Sequence, residues 1–137
     1  MSVIKVLVVD DSEAVRTGLS VWLGLQPDLE VIAEAGDASA AVDLAVQLCP
    51  DVVVMDVRMP GFDGLAATAR LRDACPSTRV LLLSFADDAD TIGAGLAAGA
   101  AGYVLKYAGP DAVTAGIRAV HRLVPPPVDG DVATRTA

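Results

Sequence analysis

Five short hydrophobic runs recur along the chain, and the central ones are continuous rather than alternating with polar residues. Continuous apolar runs of this length are typical of strands covered on both faces, as in parallel sheets. The pattern therefore predicts five buried strands, at Val3–Val9, Leu29–Glu34, Asp51–Met55, Arg79–Ser84 and Gly102–Leu105.

The segments between these runs carry apolar residues at helical spacing, so each is predicted to form a helix with one apolar face. Pro110 follows Gly109, which places proline at the first position of the last helix. Ser12, Asp37 and Asp63 are candidate N-caps. The apolar stripes are Val15, Leu19, Trp22 and Leu23 in the first helix, Ala41, Leu44, Ala45 and Leu48 in the second, and Val113, Ile117, Val120 and Val124 in the last.

The fourth helical segment, roughly Asp88 to Ala98, has a weaker pattern than the others because Gly93 and Gly95 interrupt it. A glycine in a helix interior costs about 1 kcal/mol relative to alanine. We therefore expect this segment to be a mobile part of the molecule.

Five alternations of strand and helix, joined by short connections, predict a right-handed series of crossovers. The expected fold class is α/β, a doubly wound five-stranded parallel sheet with a (βα)5 architecture. In such sheets, ligands bind beyond the carboxyl ends of the strands, so functional residues are expected directly after each strand.

The composition fits one domain: 137 residues, of which 53% are hydrophobic, with a net charge of −8. This charge disfavours DNA binding by the chain itself. No apolar stretch reaches the roughly 20 residues that would span a bilayer, and the N-terminus has no secretory signal, so a cytoplasmic protein without membrane contact is expected. Three prolines follow the last helix, which predicts one domain over residues 1–124 and a proline-rich linker or tail over 125–137.

Polar residues follow four of the predicted strands. They are Asp10 and Asp11 after the first, Asp56 after the third, Ser84 at the end of the fourth and Lys106 after the fifth. Strands 1, 3, 4 and 5 are neighbours in the expected topology, so these side chains should meet at one edge of the sheet.

Three crowded carboxylates repel one another unless some are protonated or a cation neutralises them, and oxygen ligands without histidine or thiol favour Mg²⁺. Asp56 could then act as a nucleophile, with Lys106 and Ser84 contacting a phosphoryl group placed on it. Taken singly, an aspartate after a strand is usually a turn former or helix cap, and a lone lysine is usually solvated. The coincidence at four strand ends favours a site for acyl-phosphate formation.

The residues at these strand ends resemble the signature of response-regulator receiver domains of two-component systems, in particular the NarL/FixJ (LuxR-type) subfamily. The resemblance implies a flavodoxin-like receiver fold with strand order 2-1-3-4-5. It covers residues 3 to about 123 and rests on Val8–Ser12, Val54–Gly64, Leu83–Ser84 and Gly102–Lys106.

The resemblance implies that Asp56 accepts phosphate from a sensor histidine kinase and that the chain is a signalling phosphoacceptor rather than an enzyme. The implied cofactor is Mg²⁺ or Mn²⁺, bound by Asp11, Asp56 and the backbone carbonyl of Arg58, with Asp10 acting through water. The phosphoryl group would be contacted by Lys106, by Ser84 and by the backbone N–H of Phe85. Ser84 and Tyr103 would form the switch.

The resemblance also bears on partners. Members of this subfamily usually carry a DNA-binding helix-turn-helix, for which residues 125–137 are too short. The chain is therefore either a receiver cut from a longer transcription factor, with DNA contact only through an output domain missing from this chain, or a stand-alone regulator that acts on a protein partner. The proline-rich segment and the resemblance favour the first alternative. A phosphorylation-dependent homodimer is expected, through the face of the fourth helix, fifth strand and last helix or through the first and last helices. One local departure is Tyr107, which stands directly after Lys106 where many receivers have proline.

Two other functions remain open. A degenerate receiver would keep the fold as an interaction module without being phosphorylated, although the full set of polar residues argues against it. A haloacid-dehalogenase-like phosphatase would also form an aspartyl phosphate, but such enzymes place an acid two residues after the nucleophile, where this chain has Arg58.

Overall fold

The computed structural model describes residues 3–57, 64–85 and 89–123. These residues form a parallel sheet of five strands in the order β2-β1-β3-β4-β5, which confirms the predicted fold class and strand order. Strand β5 is at one edge of the sheet and β2 at the other. The elements are β1 (Ile4–Val9), α1 (Glu13–Gly24), β2 (Leu29–Ala35), α2 (Ala38–Leu48), β3 (Val52–Asp56), α3 (Gly64–Ala74), β4 (Arg79–Ser84), α4 (Ala89–Ala97), β5 (Gly102–Leu105), a 3-10 turn (Lys106–Ala108) and α5 (Pro110–His121).

The sheet separates two hydrophobic cores, which explains why the central strands are apolar at every position. Side chains of a strand point alternately to its two faces. Leu7 and Val9 therefore pack against α2 and α3, whereas Val6 and Val8 lie on the face covered by α1 and α5. All four valine and leucine side chains are fully buried.

The predicted helix starts are confirmed where the structure describes them. The side chain of Ser12 accepts a hydrogen bond of 3.3 Å from the Val15 N–H, and that of Asp37 accepts one of 2.7 Å from the Ala40 N–H. Pro110 is the first residue of α5. The third predicted cap, Asp63, lies outside the described residues.

Two of the apolar stripes differ in their burial. In α5, Val113, Ile117 and Val120 are buried as predicted, and Val124 lies outside the described range. In α1 only Leu23 is buried, and Val15 is 43% exposed. The rest of the α1 stripe lines an open groove of about 590 Å³ between α1 and α5. Periodicity identified the apolar face of α1 correctly but did not indicate that part of it stays uncovered.

Helix α4 contains both glycines noted in the sequence, and one of them has a packing role. A Cβ atom on Gly95 would lie 2.6 Å from Cδ1 of Leu82, so glycine lets the helix approach β4 closely. A Cβ atom on Gly93 would meet nothing within 4 Å. Packing against β4 thus accounts for one of the two glycines that weaken this helix. The mobility of the segment stays a prediction.

Two further predictions concern membrane-spanning helices and the C-terminal residues. Within the described part of the chain, no helix has the length and apolar character needed to cross a bilayer. The proline-rich residues 125–137 fall outside that part, so the predicted domain boundary stays a prediction.

Candidate functional site

Three carboxylates come together at the carboxyl edge of the sheet. Asp10 and Asp11 follow β1, and Asp56 is the last residue of the neighbouring strand β3. One carboxylate oxygen from each lies within 4.8 Å of the others, a spacing that could hold a metal ion. Asp10 and Asp56 are 1% and 7% exposed, whereas Asp11 is exposed. The site is therefore a mostly buried acidic cluster with one solvent-facing member.

Lys106 neutralises part of this cluster. Its Nζ atom donates hydrogen bonds to Oδ2 of Asp56 at 2.8 Å and to Oδ2 of Asp10 at 3.0 Å. Burial by itself would lower the pKa of Lys106, but the hydrogen bonds to Asp56 and Asp10 and the attraction of both carboxylates raise it above its ordinary value. The ammonium is thus charged at neutral pH, and its contribution to stability would be lost only as the pH rises through the raised pKa.

The loop that carries Asp10 is held by contacts that sequence reasoning missed. Oδ1 of Asp10 accepts a hydrogen bond of 2.9 Å from the Ser12 N–H, so both of its carboxylate oxygens have partners. Arg16 donates from Nη1 to the Asp10 carbonyl at 2.7 Å, and its Nε lies 3.3 Å from the Glu34 carboxylate. Arg16 therefore fixes the backbone of the acidic loop. Its position one turn into α1 gives no signal of this role in the sequence.

The remaining predicted residues are on β4 and β5. Ser84 ends β4, is buried, and pairs in register with Leu105, the residue before Lys106. Tyr103 on β5 is 43% exposed, and Phe85 is 63% exposed. Tyr107, which stands where many receivers have proline, lies in the 3-10 turn. Lys106 contacts both carboxylates although tyrosine and not proline follows it.

Some predicted features cannot be placed. Arg58, whose backbone carbonyl was expected to bind metal, lies outside the described residues. The roles assigned to Asp56 as phosphoacceptor, to Ser84 and Tyr103 as the switch, and to the Phe85 N–H also stay predictions, because geometry alone does not test them.

Gly64, the first residue of α3 and the last of the Val54–Gly64 stretch, has a packing role that the sequence did not reveal. A Cβ atom there would lie 2.5 Å from the carbonyl oxygen of Asp56 and 3.1 Å from Cα of Val57. The Gly64 N–H also donates to the Val57 carbonyl at 3.2 Å. Helix α3 thus begins directly against the backbone of the candidate acceptor, and only glycine fits. A glycine eight residues after the end of a strand carries no such signal by itself.

Replacing Gly64 with alanine should lower the free energy of unfolding by about 1–3 kcal/mol, the usual cost of overpacking, because the clash is with backbone atoms that cannot rotate away. Urea unfolding followed by circular dichroism would measure this. Gly18→Ala is the matched control, since a Cβ atom there meets nothing within 4 Å. Equal stabilities of the two variants would contradict the close-approach argument.

Comparisons with known proteins agree with this geometry. The model of the response regulator receiver domain family matches residues 6–118. The transcriptional regulatory protein LiaR of Bacillus subtilis is 44% identical over 120 residues, which are 87% of this chain and 56% of that protein. The oxygen regulatory protein NreC of Staphylococcus aureus is 40% identical over 119 residues, covering 86% of this chain and 55% of that protein.

Solved structures give the same result. A signal receiver domain of a response regulator described as NarL, from Mycobacterium tuberculosis, superposes with a TM-score of 0.83 at 35% identity, covering 90% of this chain and all of that one. This chain spans just over half of the length of the curated relatives named above. The family match gives no support to the phosphatase alternative. The chain belongs to the response regulator receiver domain family of two-component systems, and its relatives identify it as a receiver of the NarL/FixJ type.

Proposed function

We propose that this chain accepts a phosphoryl group on Asp56 from the phosphohistidine of a sensor histidine kinase, in a reaction that depends on Mg²⁺ or Mn²⁺. The observation that carries the proposal is the ammonium of Lys106, which bridges Asp56 and Asp10 inside an acidic cluster of metal-binding dimensions. A lysine serving only as a surface charge would not have a side chain that is 13% exposed and bonded to two carboxylates at the ends of different strands.

In the proposed reaction, a carboxylate oxygen of Asp56 attacks the phosphorus atom and forms an O–P bond. The N–P bond of the phosphohistidine breaks, and the imidazole nitrogen leaves with the electron pair and takes up a proton. Lys106 is placed to exchange its hydrogen bond with Asp56 for one with a phosphoryl oxygen, which offsets the charge that arrives. Ser84 and the N–H of Phe85 would contact the other phosphoryl oxygens.

The donor set fits a hard divalent cation. It consists of carboxylate oxygens, with Asp11 open to solvent on one side and Asp56 buried on the other. Asp10 suits a contact through water, because Ser12 and Lys106 already bind its two oxygens. The Arg58 carbonyl would complete the protein ligands. When bound, the cation would neutralise the cluster and the phosphoryl oxygens, leaving Asp56 ionised as the nucleophile.

Phosphorylation would switch the domain through Ser84 and Tyr103. The Tyr103 side chain is exposed, and beside Ser84 there is a cavity of about 10 Å³, roughly the space of one water molecule. Its lining includes Thr91, Ile92 and Leu96 of α4. An inward turn of the tyrosine ring therefore requires an outward movement of α4, so the α4–β5 face would report the phosphorylation state.

We further propose that residues 1–124 are the receiver and residues 125–137 a linker to an output domain, through which DNA would be contacted. This rests on the share of LiaR and NreC that the chain covers. A homodimer that depends on phosphorylation would use the α4–β5–α5 face or the groove between α1 and α5, whose exposed apolar side chains suit such a contact.

Intact-mass spectrometry after incubation with phosphoramidate and Mg²⁺ tests the proposal. We expect the mass to increase by one phosphoryl group, and we expect no increase when EDTA removes the metal. Hydroxylamine should remove the group, since it cleaves acyl phosphates. Absence of an adduct with every small donor and with phosphorylated kinase would instead identify a degenerate receiver that acts only as an interaction module.

A further inference from the structure

The side chain of Phe85 makes a contact that the proposed reaction has not used. Phe85 is 63% exposed, so burial in either core does not account for its position. The centroid of the ring lies 5.1 Å from Nζ of Lys106. This is within the distance of about 6 Å at which an ammonium is attracted to the face of an aromatic ring.

The ring and the two carboxylates share the same ammonium. A lysine ammonium has three N–H donors, and Lys106 directs hydrogen bonds to Asp56 and Asp10. The ring adds a third attraction without adding a negative charge. This matters beside an acceptor of phosphate, because a third carboxylate around Lys106 would repel the incoming phosphoryl group.

We propose that the Phe85 ring is a positioning residue for phosphoryl transfer. It holds the Lys106 ammonium against Asp56 and keeps water from one side of it. The ammonium is then already in place when the phosphoryl group arrives, and less side-chain freedom is lost in the transition state. This inference rests on the proposed function, and it concerns the ring, whereas the phosphoryl contact proposed above uses only the backbone of Phe85.

The initial rate of phosphorylation by phosphoramidate, at saturating Mg²⁺, tests the inference. Phe85→Leu should react about two- to fivefold more slowly, which corresponds to an exposed cation–π contact, and Phe85→Tyr should restore the rate because it restores the ring. Tyr107→Leu is the control, since Tyr107 is equally exposed at 64% and adjoins Lys106 in the sequence. A Phe85→Leu variant as fast as the wild type, or a Phe85→Tyr variant as slow as Phe85→Leu, would overturn the proposal.

A second measurement does not depend on phosphorylation. The chain has two lysines, Lys5 and Lys106, so a sample labelled with ¹³C-lysine gives two Cε–Hε correlations. The ring current should place the Lys106 signal upfield of Lys5, and this displacement should vanish in Phe85→Leu and persist in Phe85→Tyr. A displacement that survives in Phe85→Leu would show that the ring does not hold the ammonium.

The two measurements also separate the two proposals. A wild-type chain that is phosphorylated but shows no ring-dependent displacement would overturn the role of Phe85 and leave the acceptor role of Asp56 intact. A wild-type chain with the displacement but without any adduct would overturn the proposed function, and with it the part of Phe85 in phosphoryl transfer.

Discussion

An Asp56→Asn variant should gain no phosphoryl group under conditions in which the wild-type chain is fully converted. The amide lacks the charged oxygen that attacks phosphorus in the proposed reaction, and neither of the other carboxylates is placed to replace it. Asp10 has partners on both oxygens and is 1% exposed, and Asp11 lies towards solvent. Intact-mass spectrometry with phosphoramidate and Mg²⁺ would measure the loss.

Asp37→Asn is the matched control for this experiment. It makes the same chemical change at the N-cap of α2, and asparagine caps a helix about as well as aspartate, so the fold should be unaffected. This variant should be phosphorylated like the wild type. An adduct on Asp56→Asn would place the acceptor elsewhere, and peptide mapping of that adduct would identify the residue.

A Lys106→Ala variant should lose about 3 kcal/mol of unfolding free energy in metal-free buffer, because removing one partner of a buried ion pair leaves the other charge uncompensated. Here two carboxylates, those of Asp10 and Asp56, would lose their shared cation. Urea unfolding in the presence of EDTA would measure the loss.

Magnesium should then restore part of the stability of Lys106→Ala, and by more than it stabilises the wild type, because a cation that binds the folded state takes over the neutralising role. Lys5→Ala is the control, since Lys5 is exposed at the other end of β1. If Lys106→Ala and Lys5→Ala were equally stable without metal, the ion-pair network would have no net stabilising effect.

The fold was predictable from the sequence because strands that are buried on both faces of the sheet need apolar residues at nearly every position. Strands β1, β3 and β4 are apolar at nearly every position, and the predicted bounds of β4 and β5 agree with the observed ones. The sequence could not show how closely elements approach one another. Gly64 and Gly95 look like ordinary helix-weakening residues, and only the packing reveals that a Cβ atom would clash.

The site was predictable because parallel strands bring their carboxyl ends to the same edge. Asp10, Asp56 and Lys106 were identified from this rule and do meet. The contacts of Arg16 with Asp10 and of Phe85 with Lys106 were missed, because they depend on side-chain directions that periodicity does not encode. Arg58 lies outside the described residues, so its place at the site stays a prediction.

The strand order has a consequence for folding. Lys106 is separated in sequence by 96 residues from Asp10 and by 50 from Asp56. The site is therefore held together by contacts between residues that are far apart in the sequence. Closing such long loops costs entropy before any contact is gained, and contacts of this kind slow folding. A nascent chain therefore cannot bring Lys106 to Asp10 and Asp56 until β5 has been synthesised and has docked against β4. If Asp56 is the acceptor, as proposed, reactivity towards a phosphodonor should require the complete sheet, and a partly folded chain should not react.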